Sequence, residues 1–226
     1  MRLKHLILWN MKFQARYGFY LLYGFLTILY MVLLFSLPQT WKTSASAILI
    51  FSDPAAMGLF FMGAIVLLEK SQKITSAFSV SPMTAFEYIT SKVVSLGMIA
   101  LLVALILAIS AKCEALPLVL FGTCLSSILF TLLGMIVATK TTSLNQFILA
   151  TVPVELLTFV PAVLHLSGLS PAVMRIYPAN VCMDLVAGRP CSGIGLILTI
   201  ALIIFLFTVA HQHILKMWQG EGGIKL

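Results

Sequence analysis

SKVVSLGMIALLVALILAISA, residues 91–111, decides the fold. Beyond Lys92 near its start it carries no charge, and its apolar residues do not alternate with polar ones as in a half-buried strand. A run of about twenty such residues is long enough to cross the hydrocarbon core of a bilayer as a helix. In that core every backbone N–H and C=O must find a partner inside the protein, which a helix supplies from its own segment. A membrane barrel would show strands of about ten residues with alternating hydrophobicity. The run therefore reads as a transmembrane helix.

Working outward, comparable runs occupy residues 19–37, 45–68, 116–138, 145–165 and 192–210. The 226-residue chain is 61% hydrophobic and only 9% charged, whereas a soluble domain carries roughly a quarter charged residues. No single soluble core of this length can hide so much apolar surface, but a bilayer solvates it directly. The expected fold class is all-α: a polytopic membrane protein with six transmembrane helices. Residues 1–17 are expected as a separate interfacial helix and 18–226 as one six-helix domain.

The net charge is +7. The positive residues sit in loops and ends, so they point to the anionic headgroups of a lipid bilayer and not to nucleic acid. With both termini in the cytoplasm, the inner segments hold Arg2, Lys4, Lys12, Arg16, Lys70, Lys73, Lys92, Lys140, Lys216 and Lys225. The outer segments hold only Lys42, Lys112, Arg175 and Arg189. That excess of inner positive charge favours this orientation, and an even number of spans agrees with it.

On a helical wheel Arg2, Lys4, His5, Lys12 and Arg16 fall within an arc of about 160°, opposite Leu3, Leu6, Ile7, Met11 and Phe13. This predicts an amphipathic helix lying in the inner interface. In the second run, Asp53-Pro54 reads as an N-cap followed by proline at the first helical position. A helix starting there would end at Leu68 too short to span, so residues 45–52 must also be embedded and the chain is expected to kink at that pair.

The inner loop, residues 69–90, is the sizeable one on its side. Ile74, Ala77 and Phe78 have the spacing of a short amphipathic helix, which Ser81-Pro82 then stops. Thr84 with Glu87 matches a capping box for the next helix. A short cytoplasmic helix is what a membrane domain needs to receive force from a soluble partner, although spacing alone also fits a solvated loop.

Glu155 is the acidic residue well inside a span. A carboxylate at that depth is costly, so it must be protonated, paired or facing water. With Asp53 it either lines a substrate pathway or bonds a neighbouring helix near carbonyls freed by Pro153. Cys113, Cys124, Cys182 and Cys191 form no C-x-x-C motif. Cys182 and Cys191 both fall near the outer face, where a disulfide has an oxidising setting. The outer segment, residues 166–191, carries Pro171, Tyr177, Pro178 and Pro190, and its Val173, Met174, Val181 and Leu185 suggest short helices on or partly in the outer leaflet. The sequence contains no G-x-x-x-x-G-K-[ST] phosphate loop and no convergent His, Asp or Cys set. No catalytic, metal or cofactor residue is assigned on this chain.

Glu69-Lys70, the short helix, Val80-Ser81-Pro82, then Glu87-Tyr88 and Lys92 opening a span resemble the permeases of type-2 ABC exporters. The basic N-terminal helix and Tyr177-Pro178 extend that resemblance over nearly all of the chain. More narrowly, Phe51-Ser52-Asp53-Pro54-Ala55-Ala56-Met57-Gly58 and Leu68-Glu69-Lys70-Ser71 are similar to small bacterial permeases labelled fluoroquinolone exporters. Larger members often have glycine after the acidic-basic pair, where this chain has Ser71-Gln72-Lys73.

The resemblance implies a multi-pass permease subunit of a bacterial plasma-membrane ABC exporter. It would move a drug, lipid or peptide of apolar or amphipathic character out of the cytoplasm, as in multidrug efflux. ATP and Mg would sit on a separate ABC ATP-binding subunit, and a second permease, copy or paralogue, would complete the pathway. The residues implied to couple the permease to the ATPase subunit are Glu69, Lys70, Lys73, Ile74, Ala77, Phe78, Val80, Ser81 and Pro82. The alternative is an ATP-independent secondary carrier using Glu155.

Overall fold

A computed structural model describes residues 2–79 and 81–222, and its regular elements are all helical. In chain order they are α1 (Arg2–Arg16), α2 (Phe19–Ser36), α3 (Gln39–Ala55), a π-helical turn (Ala56–Phe61), α4 (Met62–Ser71) and α5 (Ile74–Ser79). There follow α6 (Ala85–Ser110), α7 (Leu116–Lys140), α8 (Leu144–Leu166), a 3-10 turn (Ala172–Ile176), α9 (Pro178–Val186) and α10 (Gly193–Gly222). Among the described residues, six helical runs are long and apolar enough to cross a membrane: Phe19–Ser36, Gln39–Ser71, Ala85–Ser110, Leu116–Lys140, Leu144–Leu166 and Gly193–Gln219. They match the six apolar runs of the sequence, to within one residue at some ends and extended by several residues at others.

The second run differs in its irregularity. Asp53 is not an N-cap: α3 continues through Asp53-Pro54, and the break comes just after, as the π turn leading into α4. Pro54 lacks an N–H for the carbonyl four residues back, yet α3 runs on through it as far as the π turn. Packing fixes where that turn falls. A Cβ on Gly134 of α7 would stand 2.5 Å from both Gly58 O and Leu59 O, and a Cβ on Gly58 would stand 2.6 Å from Thr131 N. Backbone meets backbone there, which only glycine at both positions permits.

α7 is the central helix, touching α3, the π turn, α4, α6, α8, α9 and α10. Its C-terminal carbonyls have no intrahelical donors. Lys70 of α4 supplies three bonds, to Ala138 O at 2.9 Å, Thr139 O at 3.0 Å and Thr141 O at 3.0 Å. The start of α6 is fixed by the expected capping box: Glu87 N donates to Thr84 Oγ1 at 3.2 Å, and Thr84 N donates to Glu87 Oε2 at 3.0 Å.

The outer helices keep broad apolar faces uncovered, including Leu21, Phe25 and Val32 on α2, Leu149 and Leu157 on α8, and Ile194 and Ile197 on α10. In water such faces would drive aggregation. In a bilayer they meet acyl chains at no cost.

Candidate functional site

The site is built at the end of the bundle where α1, α5, the start of α6 and the last turns of α10 meet. α1 carries its basic residues outward, but the middle of its packed face is polar. Asn10 and Gln14 are buried, with Asn10 Nδ2 donating to Ser91 Oγ at 3.0 Å and Gln14 Nε2 donating to Ser95 Oγ at 3.1 Å. Residues four apart on α1 meet residues four apart on α6, so the two helices run in the same direction where they touch. Arg2 continues the register by donating to Pro82 O at 3.3 Å.

Behind this contact lies a buried charge pair. Lys92 Nζ is 2.6 Å from Glu69 Oε1, and both side chains are almost wholly enclosed. Tyr88 OH donates to Glu69 Oε2 at 2.6 Å, and Lys92 also reaches Asn10 Oδ1 at 3.3 Å. The Lys92 ammonium stands 4.8 Å from the centroid of the Tyr88 ring. Two ions taken out of water this fully are tolerated only when their remaining valences are met, and here Tyr88 and Asn10 meet them. The pair joins α4 to α6 and, through Asn10, to α1.

α5 sits on this frame. Lys73 adopts the left-handed region at φ 56°, which turns the chain sharply out of α4. Phe78 then packs inward, its ring 5.7 Å from that of Tyr88 and 6.3 Å from that of Trp218 on α10, while Tyr88 and Trp218 stand 5.7 Å apart. The loop is thus tied by three aromatic rings to α6 and α10. Between α1 and the loop, Leu6, Trp9, Phe78, Pro82 and Met83 line an open cavity of about 500 Å³.

The residues singled out in the sequence divide into two groups. Lys73, Ala77 and Pro82 are exposed, and Ile74, Phe78 and Ser81 are partly so. Glu69 is fully buried, and Lys70 turns back to cap α7. Both hold the loop from behind, Glu69 fully enclosed and Lys70 half-buried. Val80 lies outside the described residues. The sequence reading missed Asn10, Gln14, Ser91 and Ser95. Their signal was present: Tyr88, Ser91, Lys92 and Ser95 recur at three- and four-residue spacing on one face of α6.

Asp53 and Glu155 stand apart from this site. Asp53 is 2% exposed, and its Oδ2 has no hydrogen-bond partner among the described residues. Glu155 is half-buried on α8. Their helices touch through Phe51 and Phe159, stacked at 6.0 Å, but no ion pair or hydrogen bond joins the two carboxyls among the described residues. All four cysteines are free.

Residues 1–192 match the fluoroquinolones export permease protein family, a stretch that runs from α1 to the threshold of α10. Two curated relatives, from the CDC 1551 / Oshkosh and H37Rv strains of Mycobacterium tuberculosis, carry the name fluoroquinolones export permease protein. Each is 28% identical over 175 residues, which is 76% of this chain and 73% of the relative.

Proposed function

The chain belongs to the fluoroquinolones export permease family, and from that premise we propose that it is the membrane-spanning subunit of an ATP-driven exporter whose cytoplasmic contact with the ATPase is the α5 loop. The export of fluoroquinolones is carried over from the relatives' names. The α5 end is the cytoplasmic end in this reading, in keeping with the basic residues of α1 and of the loop. ATP and Mg bind the partner ATPase, and a second permease supplies the other half of the pathway.

The observation that carries the reading is the rigid seat of α5. Phe78 is wedged against Tyr88 and Trp218, and Tyr88 is bonded to the buried Glu69–Lys92 pair. A displacement of α5 by a closing partner is passed through the Phe78 ring to α6 and α10, and from α6 through the buried Glu69–Lys92 pair and Asn10 to α4 and α1. The drive is the difference in contacts the partner makes in its two states.

The test is co-purification of this chain with its candidate ATPase subunit, followed by ATP hydrolysis and drug export in proteoliposomes, comparing wild type with Ala77→Asp on the exposed face of α5. A complex that loses ATPase coupling in the variant supports the reading. A chain that exports drug with no ATPase present sinks it and moves the secondary carrier, with the buried Asp53 and Glu155, to the front.

A further inference from the structure

At the end of the bundle opposite α5, the tip of α8, the 167–177 segment, α9 and the entry to α10 enclose a cavity of about 990 Å³. That is room for a drug-sized molecule. Its walls are held from behind. Gly168 and Gly188, at φ 76° and 70°, reverse the chain at two of its corners. The 3-10 turn carrying Arg175 is pressed onto α10 so closely that a Cβ on Gly195 would lie 3.1 Å from Arg175 O and 2.6 Å from Val181 Cγ2. Asn180 Nδ2 donates to Met174 O at 2.8 Å, and Arg189 N donates to Asp184 O at 2.8 Å. The two arginines of the lining therefore start from fixed backbone points.

The charge balance of the lining is positive. Its one carboxylate, Asp184, lies 3.0 Å from His165 Nε2, and His165 Nδ1 lies 2.7 Å from Ser170 Oγ. Asp184 is thereby engaged by His165, and neither Arg175 nor Arg189 forms an ion pair among the described residues. Arg175 and Arg189 both line the cavity and are exposed to it and to its mouth, with no side-chain hydrogen bond or ion pair among the described residues to commit their forks. A guanidinium fork meets a carboxylate through two parallel N–H···O bonds, a geometry that a solvated cation or a neutral group cannot use. Ala172, Ile176 and Pro190 add apolar surface to the same walls.

We infer that this cavity binds the carboxylate of an amphipathic small molecule, with Arg175 and Arg189 on the carboxylate and Ile176 and Pro190 on its apolar body. The inference rests on the exporter reading for the identity of that molecule as transported substrate. The binding itself needs neither ATP nor an ATPase partner, so the two readings fail separately.

The experiment uses the full chain in nanodiscs of phosphatidylcholine, with empty discs subtracted, and two probes: a fluoroquinolone acid and its methyl ester. Wild type is expected to bind the acid at least about tenfold more tightly than the ester, as removal of charged hydrogen bonds requires. In Arg175→Gln/Arg189→Gln that preference should fall below about threefold, and Arg175→Lys/Arg189→Lys should restore part of it. Equal binding of acid and ester by wild type, or an undiminished preference in the double Gln variant, overturns the inference. So does loss of acid binding on adding a minor fraction of phosphatidylglycerol, because the oxyanion held there would then be a lipid phosphate. ATP-driven export that is lost while acid binding persists counts against the exporter reading alone.

Discussion

The hydroxyl of Tyr177 donates at 2.9 Å to the carbonyl of Leu157, the one carbonyl in that turn of α8 that Pro161 leaves without a helical donor. A proline in a helix interior removes the bond to the residue four before it, and in lipid no water replaces it. Tyr177 thus ties the segment between α8 and α9 to the proline-weakened turn of α8. Tyr177→Phe should cost about 1–3 kcal/mol by leaving that carbonyl unpaired. The check is a double-mutant cycle on thermal unfolding in detergent. In a Pro161→Ala background the restored N–H serves Leu157, and the cost of Tyr177→Phe should largely vanish. An equal cost in both backgrounds would show that the hydroxyl acts elsewhere.

The enclosed Glu69–Lys92 pair makes a prediction of opposite logic for single and double changes. Lys92→Met leaves a buried carboxylate that, among the described residues, keeps the Tyr88 hydroxyl as its partner, and breaking one side of such a pair costs about 3–5 kcal/mol. Glu69→Leu/Lys92→Met removes both charges and should recover most of that loss in stability. On the exporter reading, ATPase stimulation by drug should not recover with it, because Tyr88 and Asn10 would lose the pair that joins them. Unfolding curves and coupled ATPase rates on the same three samples separate the two effects. Full recovery of coupling in the double variant would reduce the pair to packing.

How much of this was legible in the chain follows from what each feature depends on. The spans were readable because a membrane helix is specified by its own residues, and the Thr84–Glu87 box because a cap is local. Asp53-Pro54 misled because a proline signals a boundary only when the surrounding helix cannot absorb it. The glycines that let the π turn press on α7, Gly58 and Gly134, are far apart in sequence. Glu69 was noticed for its place in a motif, yet its burial depends on Lys92, Tyr88 and Asn10 arriving from two other helices. Lys70 likewise reads as a surface cation until the end of α7 is placed beside it.

Cys182 and Cys191 should differ sharply toward thiol reagents. Burial in α9 pushes the Cys182 thiol up to about 12, with the nearby Cys191 adding to the shift. The thiolate is the reacting form, so raising this value leaves almost none of it at pH 7 and reactivity appears only as pH climbs toward that value. Cys191 lines the cavity between α8, α9 and α10 and is partly exposed. In a Cys113→Ser/Cys124→Ser background, a charged maleimide at pH 7 should label Cys191→Ser protein several-fold more slowly than Cys182→Ser protein, as read by intact mass. Equal labelling would mean that α9 opens on the time scale of the reaction.

Asp53 and Glu155 allow the transport pathway to be tested without disturbing shape. A carboxyl buried in lipid must be neutral, paired or wetted, and Asp53 has an Oδ2 with no protein partner among the described residues. Asp53→Asn keeps the volume, removes the ionisable group and breaks no hydrogen bond to that oxygen. Its stability should equal or exceed that of wild type by up to about 1 kcal/mol. If Asp53 meets a cationic substrate group or a proton during transport, export should fall while stability and assembly persist. Glu155→Gln on the half-buried face of α8 should act in the same sense, and the two effects should add less than fully if both serve one pathway. The measurement is drug export from proteoliposomes normalised to assembled complex. Wild-type export in both single variants would remove the carboxyls from the pathway and leave Asp53 as a strained position that the bundle tolerates beside its π turn.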